Sequence, residues 1–243
     1  MNQSTTQDHQ TQPVLAVIGG GQLGRMTAEA AAPLGLRCRF LDDKPNSPAF
    51  AVGESIDASF TDTAALERLA ANASAVTVEF ENVPAEALRI IERLHPDVPV
   101  RPCVASLETS QDRLAEKTLF SKLGIPTAPF IPIATKADAH EAAERLGLPM
   151  VIKARRFGYD GKGQFVIEHA GQLDEQWGEI GATLASARGG TGADRPDVGA
   201  IAEAFVRFER ELSATVVRSA SGDVFAYPVA HNTHEGGILR LSH

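Results

Sequence analysis

Cysteine is scarce: Cys38 and Cys103 are the only two in 243 residues. They lie far apart and show no CxxC spacing, which excludes a disulfide framework, a zinc ribbon and a redox dithiol. Two free structural thiols in a reducing compartment remain. Basic residues are also in deficit, 23 Lys and Arg against 31 Asp and Glu, for a net charge of −8. Without a broad basic surface to neutralise phosphates, nucleic acid and anionic membranes are excluded as general partners, and an anionic ligand must be held by a local cluster. No apolar run approaches the ~18 residues of a membrane helix. The opening "MNQSTTQDHQTQP" lacks the apolar centre of a secretory signal, and His9 within it has no metal-ligand company. Residues 1–12 therefore read as a disordered tail, and the chain as a soluble, cytoplasmic protein.

The 43% hydrophobic composition is ample for a core and for more than one compact unit. "VIGGGQLGR", residues 17–25, follows the apolar run Val14 to Ile18 and spaces Gly19, Gly21 and Gly24 as GxGxxG. Such a loop makes a tight turn, lets the backbone approach an anionic group and aims a helix N-terminus at it. Asp42 and Asp43 stand where a dinucleotide ribose would need a carboxylate, but they read more simply as a solvated strand end. A strand at 14–18, a helix from Leu23 to Leu34 stopped by Pro33 and Gly35, and the strand "RCRFLDD" make a βαβ unit. A helix from Ala64 to Ala71, the strand "AVTVEF", a helix opened by Pro84 and a short strand at Val98–Val100 continue the alternation. Such alternation predicts a parallel, doubly wound, Rossmann-like α/β sheet over residues 13–109.

From residue 110 the pattern changes. "SQDRLAEKTLFSKLG" predicts a helix with Ser110 as N-cap and Gly124 as stop, placing Arg113 and Lys117 on one face. Lys117 needs no more than helix solubility to explain it. "GIPTAPFIPI" is a Pro-punctuated hinge into a strand, the helix Ala137 to Leu146 and the strand "PMVIK". The stretch "VIKARRFGYDGKGQF" then ends a strand at Lys153 and supplies Gly158, Gly161 and Gly163 before a further strand, "QFVIE". A strand follows instead of a helix, so this is a hairpin tip and no P-loop; its amides can wrap phosphate oxygens, or it is an ordinary solvated hairpin. Residues 181–199 are small and turn-forming and predict a loop without chemistry. "AIAEAFV", "ELSATVVRS" and "GDVFAYPVA" read as strands, the last two joined by the turn "SASG".

Basic residues at Arg113 and Lys117, Lys153 at a strand end and two carboxylates in "EAFVRFEREL" resemble the ATP-grasp superfamily. The motifs "GGGQLGRM", "EFENV", "QDRLAEK", "VIKARRFGYDGKGQ", "EAFVRFEREL" and "NTHEGGIL" resemble, in order, those of its N5-carboxyaminoimidazole ribonucleotide synthetases. The resemblance implies a pre-ATP-grasp domain at 13–109 and an incomplete α+β ATP-grasp domain at 110–243, with a lid at about 127–202 and the start of a large subdomain at 203–243. It assigns Arg113 and Lys153 to ATP phosphates, Gly158, Tyr159, Asp160, Gly161, Lys162, Gly163 and Gln164 to the covering loop, and Glu203, Ala204, Phe205 and Val206 to the adenine. Glu211 would take the ribose and His234 would lie near the triphosphate. Gln22, Leu23 and Glu79 would face the ribonucleotide substrate.

The implied reaction is ATP-dependent carboxylation of aminoimidazole ribonucleotide by bicarbonate through carboxyphosphate, in purine synthesis, with ADP and phosphate released. By the same resemblance Tyr159, Asp160 and Lys162 would carry the catalytic roles: Asp160 would orient the amine, and Lys162 would steady bicarbonate or the developing negative charge. The implied enzyme is a magnesium-dependent homodimer without nucleic-acid or membrane partners. Family magnesium ligands, a Glu and a later Glu and Asn pair, follow the "NxHxxGIL" motif, so the sequence resembles a synthetase shortened after His243. Competing readings are another ATP-grasp ligase, such as formate-dependent glycinamide ribonucleotide transformylase, a nicotinamide-dependent oxidoreductase resting on the opening glycines, and a regulatory nucleotide-binding module.

Overall fold

Val14–Ile18 (β1) is an unbroken apolar strand whose Ala16, Val17 and Ile18 are fully buried, as a strand covered on both faces requires. The computed structural model describes residues 12–158, 163–186, 199–236 and 238–243. After β1 come Gln22–Ala31 (α1), closed by a 3-10 turn containing Pro33 and by Gly35 in the left-handed region at φ 74°, then Arg37–Asp42 (β2) and Glu54–Asp57 (β3). Thr63–Ala70 (α2), Ala75–Val78 (β4), Ala85–Leu94 (α3) and Val104–Ser110 (α4) complete a first compact unit that ends at Gln111.

Its sheet is parallel throughout, in the order β3-β2-β1-β4, and doubly wound. The two-residue period of a strand sorts the core. Val17, Cys38 and Phe40 pack with Ala28 and Ala31 of α1 on one face. Ile18, Leu41 and Val76 pack with Leu66 and Leu69 of α2 and Leu88 and Ile91 of α3 on the other. Each such leucine or isoleucine stabilises the fold by about 1.5–3 kcal/mol relative to exposure. The strand expected at Val98–Val100 is reduced to one bridge, Val76 to Val100. The sequence reading contains neither β3 nor α4; β3 is four residues long, bounded by Glu54 and Asp57 and not buried, so it carries no apolar pattern.

The second unit starts at Asp112. Arg113–Lys122 (α5) is capped by Asp112, whose Oδ1 accepts from the amides of Leu114 at 3.0 Å and Ala115 at 3.4 Å. The expectation of Ser110 as N-cap is corrected: Ser110 is the last residue of α4, its hydroxyl donating to the Leu107 carbonyl. Phe130–Ile133 (β5), Lys136–Leu146 (α6), Met150–Ala154 (β6), Gln164–Ile167 (β7), Ala170–Ser186 (α7) and Ala200–Ala204 (β8) follow. The four strands form an antiparallel sheet in the order β5-β8-β6-β7, and β6 and β7 are the arms of the expected hairpin. Helices α6 and α7 bring Ala139, Ala142, Leu173 and Ile180 against Ile133, Met150, Ile152 and Ala202.

Helix α7 corrects the loop expected from residue 181, because it continues to Ser186; residues 187–198 lie outside the described ones. Leu173, Trp177 and Ile180 hold a helical spacing that Gly171, Gly178 and Gly181 obscure in the sequence. The strand expected at "ELSATVVRS" divides into Glu211–Ser213 (β9) and Val216–Arg218 (β10). Strand β10 pairs with Val224–Ala226 (β11) across "SASG", where Gly222 has φ 96°. Ala230–Glu235 (β12) and Ile238–Ser242 (β13) form an antiparallel sheet in the order β13-β12-β9.

Candidate functional site

In the first unit the glycine loop closes on two carboxylates of the protein itself. The Gly20 amide donates to Asp42 Oδ2 at 2.6 Å, and the Gly21 amide to Glu79 Oε2 at 2.6 Å. Asp42 is buried, its Oδ1 accepting from the Lys44 amide at 3.0 Å, so its reading as a solvated strand end is corrected; Asp43 is exposed as expected. The cause is topological: parallel pairing of β1 with β2 and β4 brings both carboxylates to the same carboxyl-end crevice. A carboxylate engaged on Gly20 is not presented to a dinucleotide ribose, which removes the second half of the nicotinamide fingerprint. Gly19 has φ 103°, and a Cβ on Gly21 would lie 2.5 Å from Glu79 Oε1, so two of the glycines are required by conformation and by space. Gln22 and Leu23, the first two residues of α1, are exposed beside this loop.

In the second unit three charged side chains meet. Lys153 Nζ on β6 lies 2.9 Å from Glu203 Oε2 on β8, and Lys117 Nζ on α5 lies 3.4 Å from the same oxygen. Lys117 also donates to Thr127 Oγ1 at 2.7 Å and stands 5.6 Å above the centre of the Phe130 ring. Its side chain is 12% exposed, so the reading of Lys117 as a solubility residue is corrected. Glu203 is buried, and its Oε1 has no hydrogen-bond partner among the described residues. An orphaned oxygen in so buried a carboxylate marks a position where a ligand donor would be satisfied.

Asp112 organises the neighbourhood. Arg155 grips it with two hydrogen bonds, Nε to Oδ1 at 3.0 Å and Nη2 to Oδ2 at 2.6 Å, and Arg156 Nε lies 3.5 Å from Oδ2. The Arg113 amide donates to the Arg155 carbonyl at 3.0 Å. These bonds tie the first turn of α5, which carries Arg113, to the chain just beyond Lys153. Burial pushes the Asp112 carboxyl up, but Arg155, the Leu114 amide and Arg156 outweigh it and hold it below the usual value.

At the end of β8, the Ala204 amide donates to the Pro129 carbonyl at 2.9 Å and the Phe205 amide to the Pro149 carbonyl at 3.3 Å. Val206 is the first amide of "EAFV" without a backbone partner among the described residues. Glu211 Oε1 and His234 Nδ1 are 3.3 Å apart, brought together by the pairing of β9 with β12. Gly158, Gly163 and Gln164 flank the hairpin tip: Gly163, at φ 78°, accepts the Ala154 amide at 2.8 Å, and Gln164 pairs with Lys153. Tyr159, Asp160, Gly161 and Lys162 lie outside the described residues. Among the described residues no group of three or more His, Cys, Asp or Glu side chains is gathered as if around a metal ion. No described helix is long and apolar enough to cross a membrane.

Asp42, Lys117, Asp112 and Arg155 are the positions of the candidate sites whose contacts the sequence reading missed. An acidic residue just ahead of a helix was signal enough for the Asp112 cap; the other three are defined by partners remote in sequence.

The family model for the ATP-grasp domain matches residues 118–243, and that for the ribonucleotide synthetase preATP-grasp domain matches residues 13–111. The N5-carboxyaminoimidazole ribonucleotide synthase of Pseudomonas aeruginosa is 42% identical over 228 residues, covering 94% of this chain and 58% of its own. The crystal structure of N5-carboxyaminoimidazole ribonucleotide synthetase from Thermus thermophilus superposes with a TM-score of 0.78 at 43% identity, over 94% of this chain and 57% of that one. The N5-carboxyaminoimidazole synthase of Aspergillus clavatus, solved with ADP and 5-aminoimidazole ribonucleotide, gives 0.77 at 27% identity, over 95% and 56%. The chain thus spans somewhat over half the length of the relatives it matches. With the ATP-grasp model matched over residues 118–243, more than half of its length, and the preATP-grasp model over the residues before it, this chain belongs to the ATP-grasp family.

Proposed function

We propose that the chain carries the nucleotide-binding core of an ATP-dependent carbon–nitrogen ligase that carboxylates aminoimidazole ribonucleotide with bicarbonate, in purine synthesis. The observation that carries it is Glu203: buried, facing two lysines, with one oxygen unsatisfied. In this reading Arg113 and Lys153 take the ATP phosphates, each charge-assisted bond being worth roughly 1.5–3 kcal/mol. Glu203 Oε1 and the Val206 amide, with the carbonyls of Ala204 and Phe205, face the adenine edge. Glu211 takes ribose hydroxyls, and its partner His234 stands toward the triphosphate.

A bicarbonate oxygen attacks the γ-phosphorus and the bond to ADP breaks, giving carboxyphosphate. The exocyclic amine then attacks the carboxyl carbon, phosphate leaves and the amine loses a proton. Carboxyphosphate hydrolyses readily, so water must be excluded by the hairpin tip of Gly158 to Gln164, where Asp160 orients the amine and Lys162 steadies bicarbonate. Magnesium supplies charge neutralisation between the β- and γ-phosphates when bound. Gln22, Leu23 and Glu79 approach the ribonucleotide. The same reading divides the chain into a tail at 1–12, a pre-ATP-grasp domain at 13–109 and an ATP-grasp domain from 110, in a cytoplasmic homodimer without nucleic-acid or membrane partners. The net charge of −8 supports the last point.

Calorimetry with ADP tests the core of the proposal. The expected result is saturable binding that Lys153→Ala weakens about tenfold, the loss of some 1.4 kcal/mol. Equal affinity in the variant removes Lys153 from the phosphate site, and stoichiometric NAD binding in place of ADP returns the chain to the oxidoreductase reading.

A further inference from the structure

Two ammonium groups on one carboxylate oxygen need explaining, because one suffices to neutralise a buried glutamate. The two lysines differ in how they are held. Lys117 has three partners in fixed places: Glu203 Oε2, Thr127 Oγ1 and the Phe130 ring. Lys153 has one described side-chain partner, Glu203 itself, and its side chain is 24% exposed, twice the 12% of Lys117. Lys153 also sits at the end of β6, one residue before the rung that closes the glycine hairpin, whereas Lys117 is enclosed between α5 and β5.

We propose that Lys117 is a positioning residue: the standing counter-ion of Glu203, which leaves Lys153 free to turn to an anionic ligand. The inference rests on the reading of Lys153 as a phosphate ligand. When Lys153 leaves Glu203, the carboxylate stays paired through Lys117 and keeps Oε1 as an acceptor. Without Lys117 the departure of Lys153 strands a buried charge, which is strongly unfavourable, so Lys153 is trapped on Glu203. Lys117 thereby acts on the ligand through Lys153 and never touches it.

Amine acetylation read at Lys153 by mass spectrometry tests this on the 243-residue chain without any ligand. Lys117→Met slows labelling of Lys153 several-fold, and adding Glu203→Gln restores it, because the trap is removed together with its charge. Lys117→Arg, which keeps the counter-ion, labels as the unaltered chain does. Should Lys117→Met not fold, as circular dichroism will show, Lys117→Gln retains a donor for Thr127 and gives the same slowing. Unchanged Lys153 labelling in the neutral variants, or slowing that Glu203→Gln does not relieve, overturns the proposal and leaves Lys117 a purely structural residue. In parallel, binding of inorganic tripolyphosphate, which has no base to engage Glu203, weakens about tenfold in Lys117→Met and recovers in the double variant. Failure of the unaltered chain to bind tripolyphosphate or ADP counts against the nucleotide reading, and the labelling result still decides the role of Lys117.

Discussion

At the scale of single residues, Glu79 and Gly21 form a contact that a double-mutant cycle can isolate. Gly21 has φ −71°, a value any L-residue adopts, so a side chain there is opposed by space and not by backbone strain. A Cβ would meet Glu79 Oε1 at 2.5 Å and displace the carboxylate from the amide it now accepts. Gly21→Ala is expected to cost about 1–3 kcal/mol, the usual range for overpacking. In a Glu79→Ala background most of that cost vanishes, since the obstructing carboxylate is gone. Urea melts of the four proteins supply the measurement, and an undiminished penalty in the Glu79→Ala background would show that something other than Glu79 excludes a side chain at position 21. Asp42 differs from Glu79 in depth: buried and holding two amides, it fixes the loop, whereas Glu79 is half-buried and open to exchange of partners.

Among the elements, α5 depends on a single carboxylate for its cap and for its bond to the end of β6. Asp112→Ala removes both and is expected to destabilise the second unit by roughly 3 kcal/mol, as loss of one partner from a buried ion pair does. The pH dependence follows from the depressed carboxyl. Its contribution is fully present above the unfolded value near pH 4 and is lost as pH falls through the lower folded value. Thermal melts between about pH 2 and pH 6 should therefore show a shallower acid loss in Asp112→Asn, which keeps a capping oxygen but no charge. A parallel loss in both proteins would place the acid sensitivity elsewhere. Elements with local signals were legible in the sequence: the apolar run of β1, the Pro33 and Gly35 stop of α1, the glycine hairpin between β6 and β7. Those set by remote partners were not. Lys117 looks like any helix lysine until β8 places Glu203 against it, and Asp42 looks solvated until the sheet brings Gly20 to it from 22 residues away. In α7 the helical spacing was present, but interrupting glycines masked it.

Over the whole molecule, apolar exposure is uneven. The strands from β9 onward present Leu212, Val216, Val224, Phe225, Leu239 and Leu241 at 50–63% exposure, whereas the sheets of residues 14–78 and 130–204 bury their apolar faces. Exposed apolar side chains in such number favour association. The chain is expected to bind an apolar dye and to sediment in a concentration-dependent manner, and Phe225→Glu with Leu241→Glu should reduce both. Monodisperse behaviour at all concentrations would show that these strands are covered within one molecule.

The rung between the Ala154 amide and the Gly163 carbonyl has a consequence for how the hairpin tolerates changes in length. Below it, β6 and β7 run in fixed phase, with Ile152 turned to the helix-covered core and Lys153 to the other face. Above it and beyond Arg156, the chain can gain or lose residues before Gly163 without passing that change down the ladder, because the rung seals the strands from the tip. A deletion of one residue ahead of Ile152 in β6 is a different event: every side chain beyond it changes face, so that the Lys153 ammonium enters the apolar core and Ile152 leaves it. Insertions and deletions in this hairpin should thus sort into two classes, tolerated by the fold between Arg156 and Gly163 and ruinous within β6.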